Sequence, residues 1–232
     1  MGKRKSTAHG VTGLVERGRR GLRRYGPVGA ARRSLGIARE AVYARSEHVW
    51  YELVLDDDRP RPVLDGALTL LRADRSQLPL LDELWAIDRA EAERRLANEG
   101  TLWLAVEGVV PAFSCWTFRK RTPVRAAPGG SLGLPPDTVC LEESMTAAGF
   151  RGRGVAPAVW AAIADRLQGS ARRMVTTVER ENTASRRAVE KAGFREIARM
   201  TAVKIGPRYS VAAAHDTDAT AFLAAVERRA TG

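Results

Sequence analysis

The sequence predicts an α/β fold in which one mixed β-sheet carries helices on both faces. Strand-like and helix-like segments alternate over residues 63–206 in the order β-α-β-β-β-α-β-α-β. Such alternation builds mixed sheets sandwiched by helices. The hydrophobic fraction is 44% of 232 residues, enough for a sizeable core. One strand also runs straight into a helix through a glycine-rich turn at Phe150–Ala156.

The elements follow from local pattern. Residues 1–9 read as a basic tail. Val11, Val15, Leu22 and Tyr25 recur at helical spacing, and Gly26-Pro27 ends that helix. A second helix is expected from about Val28 to Arg45, with Ala31, Leu35, Ala38 and Val42 as its stripe. His48–Leu55 is aromatic and β-branched, so it reads as a strand. Asp56–Pro62 is polar and broken by prolines, and the domain boundary is placed there.

Beyond it, Ala67–Arg72 reads as a strand and Ser76–Asn98 as one helix with Leu78, Leu81, Leu84, Ile87 and Leu96 inward. Thr101–Glu107 and Val110–Phe118 form a hairpin turning at Glu107-Gly108. Residues 119–136, rich in proline and glycine, are expected as a long loop whose Arg119, Lys120, Arg121 and Arg125 either extend a basic surface or help shape a ligand site. Thr138–Thr146 is a strand, Gly154–Leu167 a helix and Arg173–Val178 a strand. Thr183–Ala192 is a helix that Gly193 ends. Phe194–Ile205 is a last long strand, and Asp218–Arg229 a helix in the tail. The expected organisation is a basic, partly helical extension (1–47), a strand and linker (48–62), the main domain (63–206) and a tail with a helix (207–232).

Charge and composition narrow the functional classes. The net charge is +11, and residues 1–50 hold twelve bases against three acids. The basicity therefore belongs to the extension. It reads either as a solvated packing arm at a dimer interface or as an amphipathic basic helix for an anionic membrane surface or RNA. No segment reaches the roughly 18 apolar residues of a membrane span, and no apolar run follows the basic N-terminus as in a secretory signal. A cytoplasmic protein, at most peripheral to a membrane, is expected. Cys115 and Cys140 lie in apolar strands and read as buried reduced thiols. His9, His48 and His215 lack ligand spacing and there is no CxxC, so no metal is expected.

The chemistry is carried by Phe150-Arg151-Gly152-Arg153-Gly154-Val155-Ala156. The first amides of the following helix have no acceptor within the helix and form the positive end of its dipole, a ready anion site. Gly152 and Gly154 let the backbone turn tightly and let a phosphate approach, while Arg151 and Arg153 add charge. Pro157 suits the first turn. A Walker loop is absent, and the third glycine of a dinucleotide fingerprint is missing at Pro157.

Arg151-x-x-Gly154-x-Ala156 resembles the pyrophosphate loop of the GNAT superfamily of N-acyltransferases, written Gln/Arg-x-x-Gly-x-Gly/Ala. A second segment is similar to that family at the expected distance: Glu181-Asn182-Thr183-Ala184-Ser185, then Glu190-Lys191-Ala192-Gly193-Phe194. Leu70–Leu78 resembles the family's first strand and helix start. The likeness spans residues 65–205 and implies the GNAT fold, with acetyl-CoA or another acyl-CoA as co-substrate. It implies that the strand before the loop splays from its neighbour and that the pantetheine arm lies in the gap against Met145 and Thr146. Arg151 to Ala156 would then hold the pyrophosphate, and Asn182 and Ser185 would sit near the arm. Asn182 also suits a helix N-cap.

Leu141-Glu142-Glu143 is similar to the Leu-Glu-Asp pattern of the spermidine/spermine acetyltransferase branch. That likeness implies Glu142 as the general base and Glu143 as a residue that meets a cationic acceptor. Adjacent strand residues face opposite ways, so one of the two acids is expected in the cleft. Val189 stands where the family has its tyrosine acid, which leaves the acid unassigned. The expected activity is N-acetyl transfer to a primary amine of a small molecule or amino sugar. The alternatives are a CoA-binding regulatory protein without turnover, or an acyltransferase on RNA or protein recruited by the basic arm. Homodimers are common in that superfamily, so a homodimer is among the expected assemblies.

Overall fold

The computed structural model describes residues 43–84, 87–123, 131–205 and 208–215. The helices expected within residues 1–42, the basic extension they carry and the tail helix lie outside the described residues. The chain divides into a larger compact unit, Ser46–Ala202 with Tyr209–Gly232, and a smaller one, Met1–Arg45 with Val203–Arg208.

In chain order the elements are β1 (Tyr43–Val54), β2 (Leu68–Ala73), a 3-10 turn (Arg75–Gln77), α1 (Pro79–Leu84), α2 (Arg89–Ala97), β3 (Thr101–Glu107) and β4 (Val110–Phe118). Then come β5 (Arg121–Pro123), β6 (Ser131–Gly133), β7 (Thr138–Thr146), a 3-10 turn (Ala148–Phe150), α3 (Val155–Leu167), β8 (Arg173–Glu179), α4 (Thr183–Lys191), β9 (Arg195–Ile205) and β10 (Arg208–His215). The main sheet has eight strands in the order β10-β9-β1-β8-β7-β4-β3-β2, and β5 and β6 form a separate ladder. The β7–β8 pair is parallel, whereas β2–β3, β3–β4, β4–β7 and β1–β8 are antiparallel. This is the mixed sheet that the alternation predicted.

Helices cover both faces. On one, Leu70, Trp103, Phe113, Val139, Leu141 and Met174 pack with Val155, Val159 and Ile163 of α3 and Val189 of α4. On the other, Leu102, Leu104, Trp116 and Phe118 pack with Leu81 and Leu84 of α1 and Ala92 of α2. Two strong amphipathic contacts, one per face, account for the layering.

Three local expectations change. The helix expected to reach Arg45 gives way to β1, which begins at Tyr43. β1 pairs with β8 over His48–Val54 and is buried on both faces, by Trp50 on one and Val49, Tyr51 and Leu53 on the other. An interior strand with that many buried contacts outweighs local helix preference.

The single helix expected over Ser76–Asn98 is two. Asp74 caps the 3-10 turn in a reciprocal box with Gln77, Pro79 opens α1, and the Asp88 carboxylate accepts from the Glu91 amide to start α2. The expected loop 119–136 contains the β5–β6 ladder, in which Arg121 pairs with Gly133 and Thr122 with Leu132.

Asp56–Pro62 packs against the helices rather than running free. Arg59 is buried and paired with Asp165 of α3, and Pro60 abuts Gly193 at the end of α4. Gly193 has φ +92°, and a Cβ there would meet Pro60 Cδ at 2.6 Å. Gly108, in the β3–β4 turn, has φ +59° with open space around it. Gly108→Ala should therefore cost only the left-handed strain, about 1 kcal/mol. Gly193→Ala adds the clash and should cost about 2–3 kcal/mol. Urea denaturation of the two variants checks this, and equal losses would remove the Pro60 contact from the account.

Candidate active site

The parallel ladder between β7 and β8 covers Thr138↔Arg173 to Leu141↔Thr176 and then stops, although β7 continues to Thr146 and β8 to Glu179. Each arm of the resulting fork is braced from outside. β4 holds β7 as far as Phe113↔Thr146, and β1 holds β8 as far as His48↔Glu179. Thr176 Oγ1 donates to the Leu141 carbonyl at 2.8 Å and closes the last rung. Past that rung the facing backbone edges of β7 and β8 have no strand partner in each other, and such edges need donors and acceptors from elsewhere. Thr177, the next residue on β8, has a buried hydroxyl without a hydrogen-bond partner among the described residues.

Glu142 is the first β7 residue beyond the fork. It is half-buried and accepts from Cys140 Sγ at 3.3 Å. Dehydration of its carboxyl, with the nearby Glu143 charge, raises its pKa to about 8. Cys140, Arg95 and Thr122 act in the opposite sense. The Thr122 hydroxyl makes no hydrogen bond of normal geometry, yet it lies close enough to Glu142 and Cys140 to favour their charged forms. Burial pushes the Cys140 thiol well above its usual range, and the Glu142 charge adds to that. Cys115 and Cys140 are both free and buried.

The expectation that only one of the two acids faces the cleft is corrected. Opposite Trp116 stands Glu142, but opposite Ser114 stands Met145, so β7 holds one extra residue. Glu143 takes up the excess at φ +48°, a left-handed conformation. The bulge breaks the alternation, and Glu143 turns toward α2 on the face that Glu142 also occupies. Arg95 of α2 donates to both Glu143 oxygens, at 2.9 and 3.1 Å, and through Nε to Glu91 at 2.8 Å. Its guanidinium is buried and lies 5.6 Å above the Trp116 ring and 5.9 Å above that of Phe118. Glu143 is thus engaged by a cation of the protein itself. Ser144 faces the other side and accepts from Trp160 Nε1 of α3 at 3.0 Å.

The loop after β7 turns through two left-handed glycines into α3. Gly152 and Gly154 stand at φ +77° and +75°, and a Cβ on either would meet nothing within 4 Å. Their requirement is conformational, and the space beside them is open. Gly154 is the N-cap of α3, and no side chain caps that helix. The first-turn amides, Val155 and Ala156 among them, are left for an external acceptor. Arg151 and Arg153 are exposed at the loop. Arg151 Nε donates to the Thr146 carbonyl at 3.2 Å, and Arg153 stacks 5.0 Å above Phe150. Met145 and Thr146 are half-buried on the arm of the fork leading into this loop.

At α4, the Asn182 side chain accepts from the Ser185 amide at 3.1 Å, so Asn182 is the N-cap. Asn182 is exposed and Ser185 half-buried. Val189 is 1% exposed and belongs to the core. Glu142, Met145, Thr146 and the Arg151–Ala156 loop are contiguous along the β7 arm, whereas Asn182 and Ser185 follow the β8 arm.

Sequence reasoning missed Arg95, Thr122 and Cys140 as partners of the acids. Their contacts cross 48, 20 and two positions respectively, and only the Cys140-x-Glu142 spacing left a local sign. Among the described residues no cluster of His, Cys, Asp and Glu could hold a metal ion. No helix among them is long and apolar enough to cross a membrane.

Residues 68–194, more than half of the chain, match the profile of the acetyltransferase (GNAT) family. A GNAT-family acetyltransferase from Colwellia psychrerythraea superposes with TM-score 0.51 at 14% identity, over 71% of this chain and 56% of its own. A tandem GNAT protein from the clavulanic acid biosynthesis pathway superposes with TM-score 0.53 at 13% identity, over 80% of this chain and 59% of its own. The chain thus spans little more than half the length of these two, and at such identities they support the fold alone. No functionally curated protein matches the chain.

The raised pKa has a consequence for stability. The native state favours neutral Glu142, so its contribution is intact below about pH 4.5 and is lost as pH rises through about 8. Glu142→Gln has no charge to bury. Relative to the wild type it should gain roughly 2–4 kcal/mol between pH 5 and pH 9. Denaturant titrations across that range test this, and a constant difference would mean that the carboxyl is hydrated.

Proposed function

The chain belongs to the acetyltransferase (GNAT) family, and from that premise we propose that it transfers the acetyl group of acetyl-CoA to the primary amine of a small molecule or amino sugar. The carrying observation is the fork, because Glu142, a carboxyl with pKa about 8, stands at its apex while one arm runs directly into the uncapped α3 loop.

The donor site fits the residues present. Arg151, Gly152, Arg153, Gly154, Val155 and Ala156 hold the pyrophosphate through backbone amides and charge. The free edge of β7 at Met145 and Thr146 receives the amide groups of the pantetheine arm, with Asn182 and Ser185 on the opposite side. A bound acyl-CoA supplies an activated thioester carbonyl, and the chain supplies proton control. Glu142 takes the proton of the amine, and its pKa suits that task near neutral pH. Glu143 is given a different part from the one its sequence suggests. With both oxygens on Arg95, it holds that cation beside Glu142 and tunes the base. Val189 in the core offers no proton, and no other residue is assigned as acid. A cytoplasmic location, a homodimer and docking of residues 1–47 on an anionic membrane or nucleic acid belong to the same reading and rest on the sequence.

A second reading, a CoA-binding protein without turnover, is favoured by Val189 alone. Thiol release from several acyl-CoAs against a panel of amines separates the two. Glu142→Gln should lower kcat/KM by roughly 10²–10⁴-fold with acyl-CoA affinity within about twofold of wild type. Wild-type kcat/KM should rise with pH through about 8 as Glu142 ionises. A Gln variant as active as wild type would remove Glu142 as base, and acyl-CoA binding without thiol release would favour the second reading.

A further inference from the structure

On the α2 side of the sheet lies a half-open pocket of about 590 Å³, within the range of small-molecule sites. Its wall includes Arg95, Phe118, Arg119, Lys120, Arg121 and Thr122. Its position follows from the strand register. Phe118 pairs with Cys140, two residues along β7 from Glu142, and Thr122 lies beside both Cys140 and Glu142. Glu142 is not itself in the lining; Thr122 and Arg95 connect the pocket to the two acids of β7.

The charge of the cavity is one-sided. Five cations line it (Arg94, Arg95, Arg119, Lys120, Arg121) against two acids, Glu91 and Glu99. Both acids are taken, Glu91 by Arg94 and Arg95, and Glu99 by Lys120. Arg119 and Arg121 have no carboxylate among the described residues. Arg119 donates to the Ser170 carbonyl and hydroxyl, each at 2.8 Å. Arg121 donates to Ser131 Oγ at 2.7 and 3.1 Å. A guanidinium has five N–H donors in a planar fork that matches carboxylate and phosphate oxygens. These contacts, with a third from Arg121 to the Ser131 carbonyl at 3.5 Å, restrain each side chain and leave donors over, so a ligand oxyanion meets groups that are already ordered.

We infer that the acceptor is a small amine that also carries a carboxylate or phosphate, seated by Arg119 and Arg121 with its amine toward Glu142. This rests on the acyltransferase reading above and names its substrate class. It runs against the polycationic acceptor that the Leu141-Glu142-Glu143 likeness suggests, because a second cation on the acceptor would face the two arginines that have no carboxylate partner.

Binding measured without acyl-CoA keeps the two readings apart. Calorimetry at low salt compares β-alanine, O-phosphoethanolamine, ethanolamine and 1,3-diaminopropane on the full chain. β-Alanine or O-phosphoethanolamine should bind at least about tenfold tighter than ethanolamine, and diaminopropane weakest. The tighter of the two anionic amines identifies the oxyanion. Arg121→Ala and Arg119→Ala should each weaken that ligand by about tenfold without altering ethanolamine. Arg121→Lys should recover only part of the loss, and Arg121→Glu should reverse the preference toward diaminopropane. All four changes are at exposed positions. Equal binding of the four amines, or arginine variants that bind as wild type, would overturn the inference and leave acyl transfer standing. Selective binding of an anionic amine with no thiol release from acetyl-CoA would instead uphold the cavity and defeat the acyltransferase reading.

Discussion

The site depends on one interruption, the end of the β7–β8 ladder after Leu141↔Thr176. Two interior strands that stop pairing leave backbone donors and acceptors facing each other across a gap, and buried groups of that kind are costly unless satisfied. The fold tolerates this because neither strand depends on the other beyond that rung. β4 fixes β7 and β1 fixes β8 to their ends. The strand that precedes the main body in sequence is thus structurally part of it. β1 carries buried side chains on both faces and holds the outer arm of the fork open.

A bulge then concentrates charge at the apex. Without the extra residue, Glu142 and Glu143 would point to opposite faces. With Glu143 in the left-handed region, both carboxyls lie on the α2 side, where a single buried arginine serves them. Arg95 forks onto Glu143, reaches Glu91 and rests on two aromatic rings, so its own burial is compensated. Glu142 receives only the more distant part of that charge. Dehydration outweighs it and raises the carboxyl's pKa to about 8. Two adjacent acids thereby acquire different surroundings from a single positional excess in a strand, Glu143 on Arg95 and Glu142 beside Cys140.

The features legible in the sequence are those whose requirements are local. Gly152, Gly154 and Pro157 are dictated by the turn and the first helical turn they occupy, and Asn182 by the helix it caps. Thr101–Glu107, Val110–Phe118 and Thr138–Thr146 have the bounds their patterns suggest. The break between α1 and α2 was also written locally, in Pro79 and Asp88, but an uninterrupted apolar periodicity masks it. The bulge was not legible. It arises from the register between β4 and β7, and nothing in Leu-Glu-Glu-Ser marks which residue will be in excess. Arg95 was hidden for the same reason. In RAEAERRLA it looks like a solvated helix charge, and only the fold places it over Trp116 and beside Glu143.

The position of Val189 bears on how protons are managed. α4 packs its inner face on the core there, and the Phe194 amide bonds back to the Val189 carbonyl to close the helix end. Val189 shares its core with Tyr51 and Phe194. Under the proposed reaction, one group near the fork still ends the first step with a proton to give. A carboxyl of pKa about 8 that has taken the amine proton is a weak enough base to release it again near neutral pH. Were Glu142 the base, the burial that raises its pKa would also leave its protonated form as a proton source, and the proposal therefore names no second titrating residue.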